Sequence, residues 1–465
     1  MSDPYAQQQD SEPTSEEVAG LEHDLMDRVI SALDGRSFDT VTDLAESLHP
    51  ADMADLLEGL DSDHRSLLLD IVAFAMDPEV LTHLESSYRE EVAEKLGPKA
   101  VARIIEALDS DDALEIFEDL SDELRAQVLS RIPRTYQRFI LEGLDFPEDS
   151  AGRLMQREVM VVPALWSVGE TIDYMRSNKK KIQSDFYDLY LVDPRYKPVG
   201  KLPLSRVLRN SRPTALIDIM EEAHYSIPVN MDQEEVAYLF KQYDLFSAPV
   251  VDSAGRLLGL ITVDDVVHVV QEEAEEDFFK LSGVGEDDLY SAALATVKSR
   301  SIWLFVNLLT AVLASLVIGL FTETLERVVA LAVLMPIVAS MGGNAGTQSL
   351  SVAVRAIAMK KLVGAAAQRF LTKEIVVGLL NGLIFALVIG LVTWVWFDNF
   401  MLAVIIGSAM IINLLVAGGF GALIPIVLDR MNVDPAVSSS VFLTTATDVI
   451  GFFAFLGLAA LFLQV

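Results

Sequence analysis

The chain of 465 residues contains no cysteine. Disulfides and thiolate metal centres are therefore excluded. Histidine is nearly as scarce, with six residues, all before position 270. Beyond that point the chain offers neither sulfur nor imidazole. Any metal ion handled there must accept oxygen ligands, which favours Mg2+, Ca2+, Mn2+ or a monovalent cation. Positive charge is also short, with 35 Lys and Arg against 68 Asp and Glu, a net of -33. Nucleic acid is excluded as a natural partner, because phosphate binding needs a basic surface. No GxxxxGK phosphate loop appears, which argues against ATP-driven pumping. No nucleophile–base set marks an intramembrane enzyme.

What is present is unevenly spread. From Ser301 onward seven acids balance seven Lys and Arg, so the first 300 residues hold 61 acids against 28 bases. An acidic surface suits a cation partner, although solubility alone would also explain it. The start, "MSDPYAQQQDSEPTSEE", is polar and acidic without signal-peptide character, and residues 1–20 read as a disordered tail.

After Arg300 the apolar runs reach the ~20 residues needed to cross a bilayer. Five spans are expected, at Ile302–Phe321, Val328–Ala358, Ile375–Phe397, Leu402–Leu428 and Ala436–Leu463. Lys298, Arg300, Arg355, Lys360, Lys361, Arg369, Lys373 and Arg430 cluster on one side of them. The positive-inside rule then places the acidic first 300 residues in the cytosol and the C-terminus outside.

The second span contains "ASMGGNAGTQSLS", in which Ser340, Asn344, Thr347, Gln348 and Ser351 share a helical face. Gly342, Gly343 and Gly346 are expected to permit close backbone approach. The fifth span repeats the pattern, with Ser440, Thr444, Thr445, Asp448 and Gly451 on one stripe. Such stripes either glue helices together or wall a polar path, and two in one bundle favour the path. Asp448 reads as the one acid deep within a span. A carboxylate there costs roughly 2.5–3.5 kcal/mol on insertion scales, so it demands a function or a hydrogen-bonded structural role beside Thr444. One carboxylate cannot satisfy a bare divalent ion. A hydrated Mg2+, which keeps several waters, could be gripped by one carboxylate per subunit with amide and hydroxyl oxygens behind it. A two-fold dimer would bring two copies of Asp448 to the axis.

The first 300 residues carry two kinds of repeat. Residues 21–135 read as an all-α acidic domain of stacked helical hairpins, in which "LHPADMADLLEGL" and "LGPKAVARIIEAL" each begin at a proline. Asp61, Asp63, Asp109, Asp111 and Asp112 fall at helix starts, where the helix dipole alone would place them. Residues 136–263 hold a tandem α/β repeat. "LYLVDPRYKPVGKLPLSRVL" at Leu189 matches "APVVDSAGRLLGLITVDDVV" at Ala248, and "SNKKKIQSDF" marks extra residues in the first copy. Asp252 to Gly255 reads as a hairpin turn. The tandem resembles a pair of CBS domains. That resemblance gives Thr262 and Asp265 ribose-phosphate-binding positions, whereas the first copy has Pro203 and Arg206 there. At most one adenine nucleotide, such as ATP, is implied; a simple helix-capping role is the alternative.

Residues 264–300 connect this pair to the first span. As a helix, "VDDVVHVVQEEAEEDFFKLSG" stacks Glu272 on Glu276 and Glu273 on Asp277, like charges whose repulsion a divalent ion would relieve. With "GGNAGTQS" and "DPAVSSSVFLTTATDVIGF", the whole order resembles the MgtE family of bacterial magnesium channels over residues 21–465. The resemblance implies a multidomain inner-membrane homodimer with membrane lipid around residues 301–465. Its two-fold pore would select Mg2+ through Asp448, and cytosolic Mg2+ bridging the acidic domain, the CBS pair and a connecting plug helix would close it. It assigns Asp434 to the membrane side of the plug, Glu276 and Asp277 to the plug's acidic pair, and Asp265 to the side facing the helical domain. Asp111 and Asp112 are the candidates within that domain. His268 and Ser440 depart from the family pattern, where an acid and an asparagine are common.

Overall fold

The computed structural model describes residues 23–73, 76–178, 186–222, 225–284 and 293–463. The expected tail and most of the insertion around Lys179–Asp185 lie outside them. The chain divides into two compact units, Met1–Val269 and Val270–Val465.

In the first unit the helical run continues to Leu144. Pro50 and Pro98 open helices Pro50–Gly59 and Pro98–Ile105, where a missing N–H is harmless. Asp61 caps helix Ser62–Val72 by accepting from the Asp63 and His64 amides at 3.1 and 3.0 Å. Side-chain donors lock the hairpins. Arg65 donates Nε to the Leu57 carbonyl and Nη2 to that of Leu60, both at 2.7 Å. Gln137 Nε2 reaches the Leu129 and Ile132 carbonyls at 2.8 and 3.1 Å, eight and five residues back, as Arg65 does. These carbonyls end the preceding helices and lack an intrahelical partner. Leu56, Leu57, Leu68, Leu69, Ile105 and Ile116 fill the core between hairpins, each burial stabilising by about 1.5–3 kcal/mol.

The tandem repeat folds twice into one plan. Strands β1 (Val161–Pro163), β2 (Asp188–Val192), β3 (Pro198–Pro203) and β4 (Glu221–Glu222) form one sheet in that order. Strands β5 (Ile227–Pro228), β6 (Ser247–Val251) and β7 (Leu257–Thr262) form the other. In each, the first pair is parallel and the next antiparallel. Both hairpins shift register at equivalent places, Leu191/Val192 and Val250/Val251. The Asp252 turn ends on Gly255 with φ +77°, and Tyr196 takes the same left-handed place in the first copy. The Tyr190 hydroxyl meets Ser247 Oγ at 2.7 Å, and Ser247 reaches Asp188 at 2.8 Å, joining the sheets. Helix Val263–Ser282 follows β7.

The second unit contains five helices long and apolar enough to cross a membrane. They are Ala293–Gly319, Ala330–Ala358, Ala365–Phe397, Phe400–Arg430 and Pro435–Phe462, here the first to fifth membrane helices. The third begins ten residues before the expected Ile375, so Arg369 and Lys373 lie on it rather than in a loop. "AAAQRFLTKE" consists mostly of good helix formers, whereas hydropathy marks only the apolar stretch after it. The fourth helix is the hub: 56% of its apolar window is buried, against 6% for the first. Gly378 and Gly418 bring the third and fourth helices close, since a Cβ at either would strike the other's backbone carbonyl.

Candidate functional site

The second membrane helix turns its polar residues outward. Ser340, Asn344, Thr347, Gln348 and Ser351 are exposed in the single chain, while Gly342 and Gly346 face inward. Gly343 has nothing near it, so it is not part of the close approach expected of all three glycines. On the fifth helix Ser440, Thr444, Thr445 and Asp448 are half-buried, and Ser439 and Thr447 are buried. The hydroxyls spend their protons within their own helices. Thr347 donates to the Gly343 carbonyl at 2.9 Å and Ser351 to that of Thr347 at 2.9 Å. Thr444 donates to Ser440 at 3.0 Å and Thr445 to Val441 at 2.6 Å. Each hydroxyl therefore keeps lone pairs free to accept, the kind of oxygen a hydrated cation needs. Thr444 directs its proton to the Ser440 and Val441 carbonyls and so does not donate to the Asp448 carboxylate.

Two further polar groups lie inside this bundle. Glu374 is buried on the third helix and accepts from Ser349 Oγ at 2.7 Å, with Lys373 Nζ at 3.4 Å. Asp448 is thus not the one acid within the apolar helices, as the sequence suggested. The helix start was placed too late to include Glu374. Asn413, fully buried on the fourth helix, donates Nδ2 to the Val338 carbonyl at 2.7 Å. Its Oδ1 is buried and accepts nothing among the described residues. An orphaned amide oxygen costs about 1–3 kcal/mol, which offsets the roughly 0.6–2 kcal/mol one bond returns in a membrane bundle. Only an isolated "N" in "IINLLV" hints at it in sequence.

In the first unit the structure brings Asp111 and Asp112 to Asp265. Burial, then the Asp265 and Asp112 charges, push the Asp111 carboxyl well above its usual range. Burial, Asp265 and Glu115 push Asp112 up to about 7. Asp265 is pushed up to about 6, chiefly by burial, against the lowering bond from Thr262. Asp111 Oδ1 is buried without a hydrogen bond. The set is short of positive charge. Thr262 Oγ1 donates to Asp265 Oδ2 at 2.8 Å, and the Thr262 amide donates to the same oxygen at 3.3 Å, so Asp265 reaches back to the residue that opens its helix. His268 and Glu272 lie on the exposed side of helix Val263–Ser282, and Glu273 is half-buried. Among the described residues no three acidic or imidazole side chains converge closely enough to hold a bare metal ion.

In the second unit the end of that helix meets the fifth membrane helix. Asp434 caps the latter by accepting from the Ala436 amide at 2.8 Å. Lys280 Nζ pairs with Glu276 one turn back and with Asp434 at 3.0 Å. Burial alone would lower the Lys280 ammonium, but the two carboxylates more than reverse that. Burial and then Asp434 raise the Asp277 carboxyl. Where the sequence suggested acids awaiting a divalent ion, the chain supplies a cation of its own. The i, i+4 step from Glu276 to Lys280 was legible, but the acid run drew attention away from it.

The intracellular N domain of MgtE matches residues 48–149 and a CBS domain matches 216–272. The MgtE divalent cation transporter domain matches 335–458. A protein named magnesium transporter MgtE from Thermus thermophilus is 35% identical over 430 residues, covering 91% of this chain and 95% of its own. The chain belongs to the MgtE family. The magnesium transporter MgtE of Enterococcus faecalis is 33% identical over 325 residues, 70% of this chain and 72% of that protein. Among solved structures, the cytosolic domain of the Mg2+ channel MgtE in complex with ATP aligns at TM-score 0.49 and 28% identity, covering 52% of this chain and 99% of that one. In this MgtE-family chain the first CBS copy has Pro203 and Arg206 at the positions equivalent to Thr262 and Asp265. Arg206 is bound to the Ile219 carbonyl at 3.0 Å and Glu221 at 2.6 Å, and Pro203 closes β3.

Proposed function

We propose that this protein is a Mg2+-selective channel that carries Mg2+ inward across the bacterial inner membrane as a homodimer. In this reading cytosolic Mg2+ closes it. The observation that carries the reading is the pair of lone-pair-bearing stripes, one exposed and one half-buried with Asp448, in a chain 35% identical to a magnesium transporter. A stripe exposed in one chain needs a second wall, and a two-fold partner supplies it. Asp448 is the selectivity carboxylate, with Asn344, Gln348, Ser440, Thr444 and Thr445 as oxygen ligands toward the ion's water shell. The membrane potential suffices as driving force, at about 4.6 kcal/mol for a divalent ion per 100 mV. Asp111, Asp112, Asp265, Glu272, Glu273, Glu276, Asp277 and Asp434 form the regulatory acids. Thr262 and Asp265 offer at most one nucleotide site. The first 300 residues are cytosolic and the C-terminus lies outside.

The test is flux from the purified chain in vesicles with Mg2+ as sole cation. Wild type should conduct, and Asp448→Ala should abolish flux with dimer assembly intact. Wild-type flux in Asp448→Ala would refute the selectivity role. The second reading, a proton-coupled transporter, gains support from Glu374, a buried titratable group between two helices. It predicts Mg2+ accumulation driven by a pH gradient at zero membrane potential, which a channel would not show.

A further inference from the structure

The amide of Asn413 sits between the two helices that carry the polar stripes. A Cβ built on Gly342 of the second helix would collide with that amide, and one on Gly451 of the fifth would lie 3.0 Å from its Cγ, Nδ2 and Oδ1. The planar group is thus gripped between two bare stretches of backbone and bonded to the Val338 carbonyl on one side. Gly342 lies two residues from both Ser340 and Asn344, and Gly451 lies three after Asp448. The glycines of both motifs therefore make room for this one side chain. Its orphaned oxygen means that stability does not account for its presence; an apolar side chain of the same size would leave nothing unpaired. Departures from the best-packed solution concentrate where geometry serves function.

We propose that Asn413 is a positioning residue for ion selection. Its amide sets the separation and rotation of the second and fifth membrane helices, and with them the spacing of the Asn344 and Gln348 oxygens from Asp448. This rests on the reading that the two stripes line the ion path. Mg2+ demands near-ideal oxygen geometry, whereas Ca2+ tolerates variable arrangements. A loosened spacing therefore erodes discrimination before it erodes conduction.

The experiment uses the full-length chain in phosphatidylethanolamine–phosphatidylglycerol vesicles, with Mg2+ and Ca2+ fluxes measured separately. Asn413→Leu keeps the side chain's heavy-atom count and branching and removes the bond, with a bulkier tetrahedral tip; Gly451→Ala presses on the same amide from the fifth helix. Both should shift the Ca2+-to-Mg2+ flux ratio toward Ca2+ by on the order of tenfold, the scale on which ångström-level misplacement acts. Asn413→Leu should do so in chains that remain folded at the assay temperature. An unchanged ratio in both variants, with wild type conducting Mg2+, overturns the positioning role alone. Absence of Mg2+ flux in wild type overturns the channel reading instead. A structural readout is independent of flux. Because the chain has no cysteine, spin labels at Val333→Cys and Phe453→Cys report on these two helices without background. Dilution with unlabelled chain restricts the signal to one subunit. Asn413→Leu should shift or broaden that distance, and an identical distribution refutes the proposal.

Discussion

Lys280 is the most informative residue to change in the proposed regulatory region, because the direction of the effect separates two accounts of the acids around it. Its ammonium bridges Glu276 and Asp434, with Asp277 half-buried beside them. The side chains are about a third exposed, at 30% for Lys280, 36% for Glu276 and 39% for Asp434. Screening at that exposure limits each pair to about 1 kcal/mol. Lys280→Met removes both pairs and leaves three carboxylates with no local ammonium. Without Mg2+, the end of helix Val263–Ser282 should then hold the fifth membrane helix less firmly, by about 1 kcal/mol, because only the Asp434 pair crosses between the two helices. With Mg2+, the ion no longer shares Glu276 and Asp434 with an ammonium. The concentration that closes the channel should fall by about 5- to 30-fold, corresponding to 1–2 kcal/mol. Glu276→Gln and Asp277→Asn should move it the opposite way, to higher Mg2+, without destroying conduction. The assay is open probability in inside-out patches across a Mg2+ series. A rise or no change in the closing concentration for Lys280→Met would show that the ammonium is a fixed strut and not a competitor of the divalent ion.

Three further outcomes follow from the geometry. In chelator, stability of the first unit should fall as pH rises from about 4 through 7. Asp112 and Asp265 bind protons more tightly folded, at about 7 and about 6, than at their ordinary 3.8; millimolar Mg2+ or Asp112→Asn should flatten that slope in thermal melts, and an unaltered slope in both counts against the crowded-acid account. Titration calorimetry of the full chain should find no more than one ATP or ADP per chain, because Arg206 and Pro203 stand at the first-copy positions; two sites of similar affinity would refute this. Ser349→Ala should destabilise the membrane unit by about 1–3 kcal/mol by stranding buried Glu374, and Glu374→Gln in the same background should recover part of it; denaturation in detergent measures both.

Periodicity and punctuation made much of this architecture legible. Pro50, Pro98 and Asp61 mark helix starts because each solves a local backbone problem that needs no tertiary partner. The tandem repeat was visible because Leu189 and Ala248 open matching stretches 59 residues apart, and the structure places their hairpin bulges at equivalent positions. The outward polar stripe of the second helix followed from spacing alone. What escaped were single residues whose meaning lies in their neighbours. Asn413 is one amide in an apolar run, and only three helices together show why Gly342 and Gly451 carry no side chain. Glu374 was hidden by a helix that starts before its apolar stretch. Lys280 was hidden by the acids it neutralises.

These escaped residues point to one physical theme. The membrane unit contains neither sulfur nor imidazole, so its dealings with an ion rest on oxygen. Oxygen selects among hard cations by distance and number, not by softness. Selection by distance requires rigid walls, and the walls here are two helices whose hydroxyl protons are committed to their own carbonyls. Rigidity between those helices does not come from the stripe hydroxyls, whose bonds stay within their own helices. It must come from behind them, where the structure places a wedged amide, and from Ser349–Glu374 at the junction with the third helix. On this argument the chemistry of selection belongs to the stripes and its precision to the buried polar groups. Substitutions at Asn413 should therefore alter which ion passes, whereas substitutions at Asp448 should alter whether any divalent ion passes.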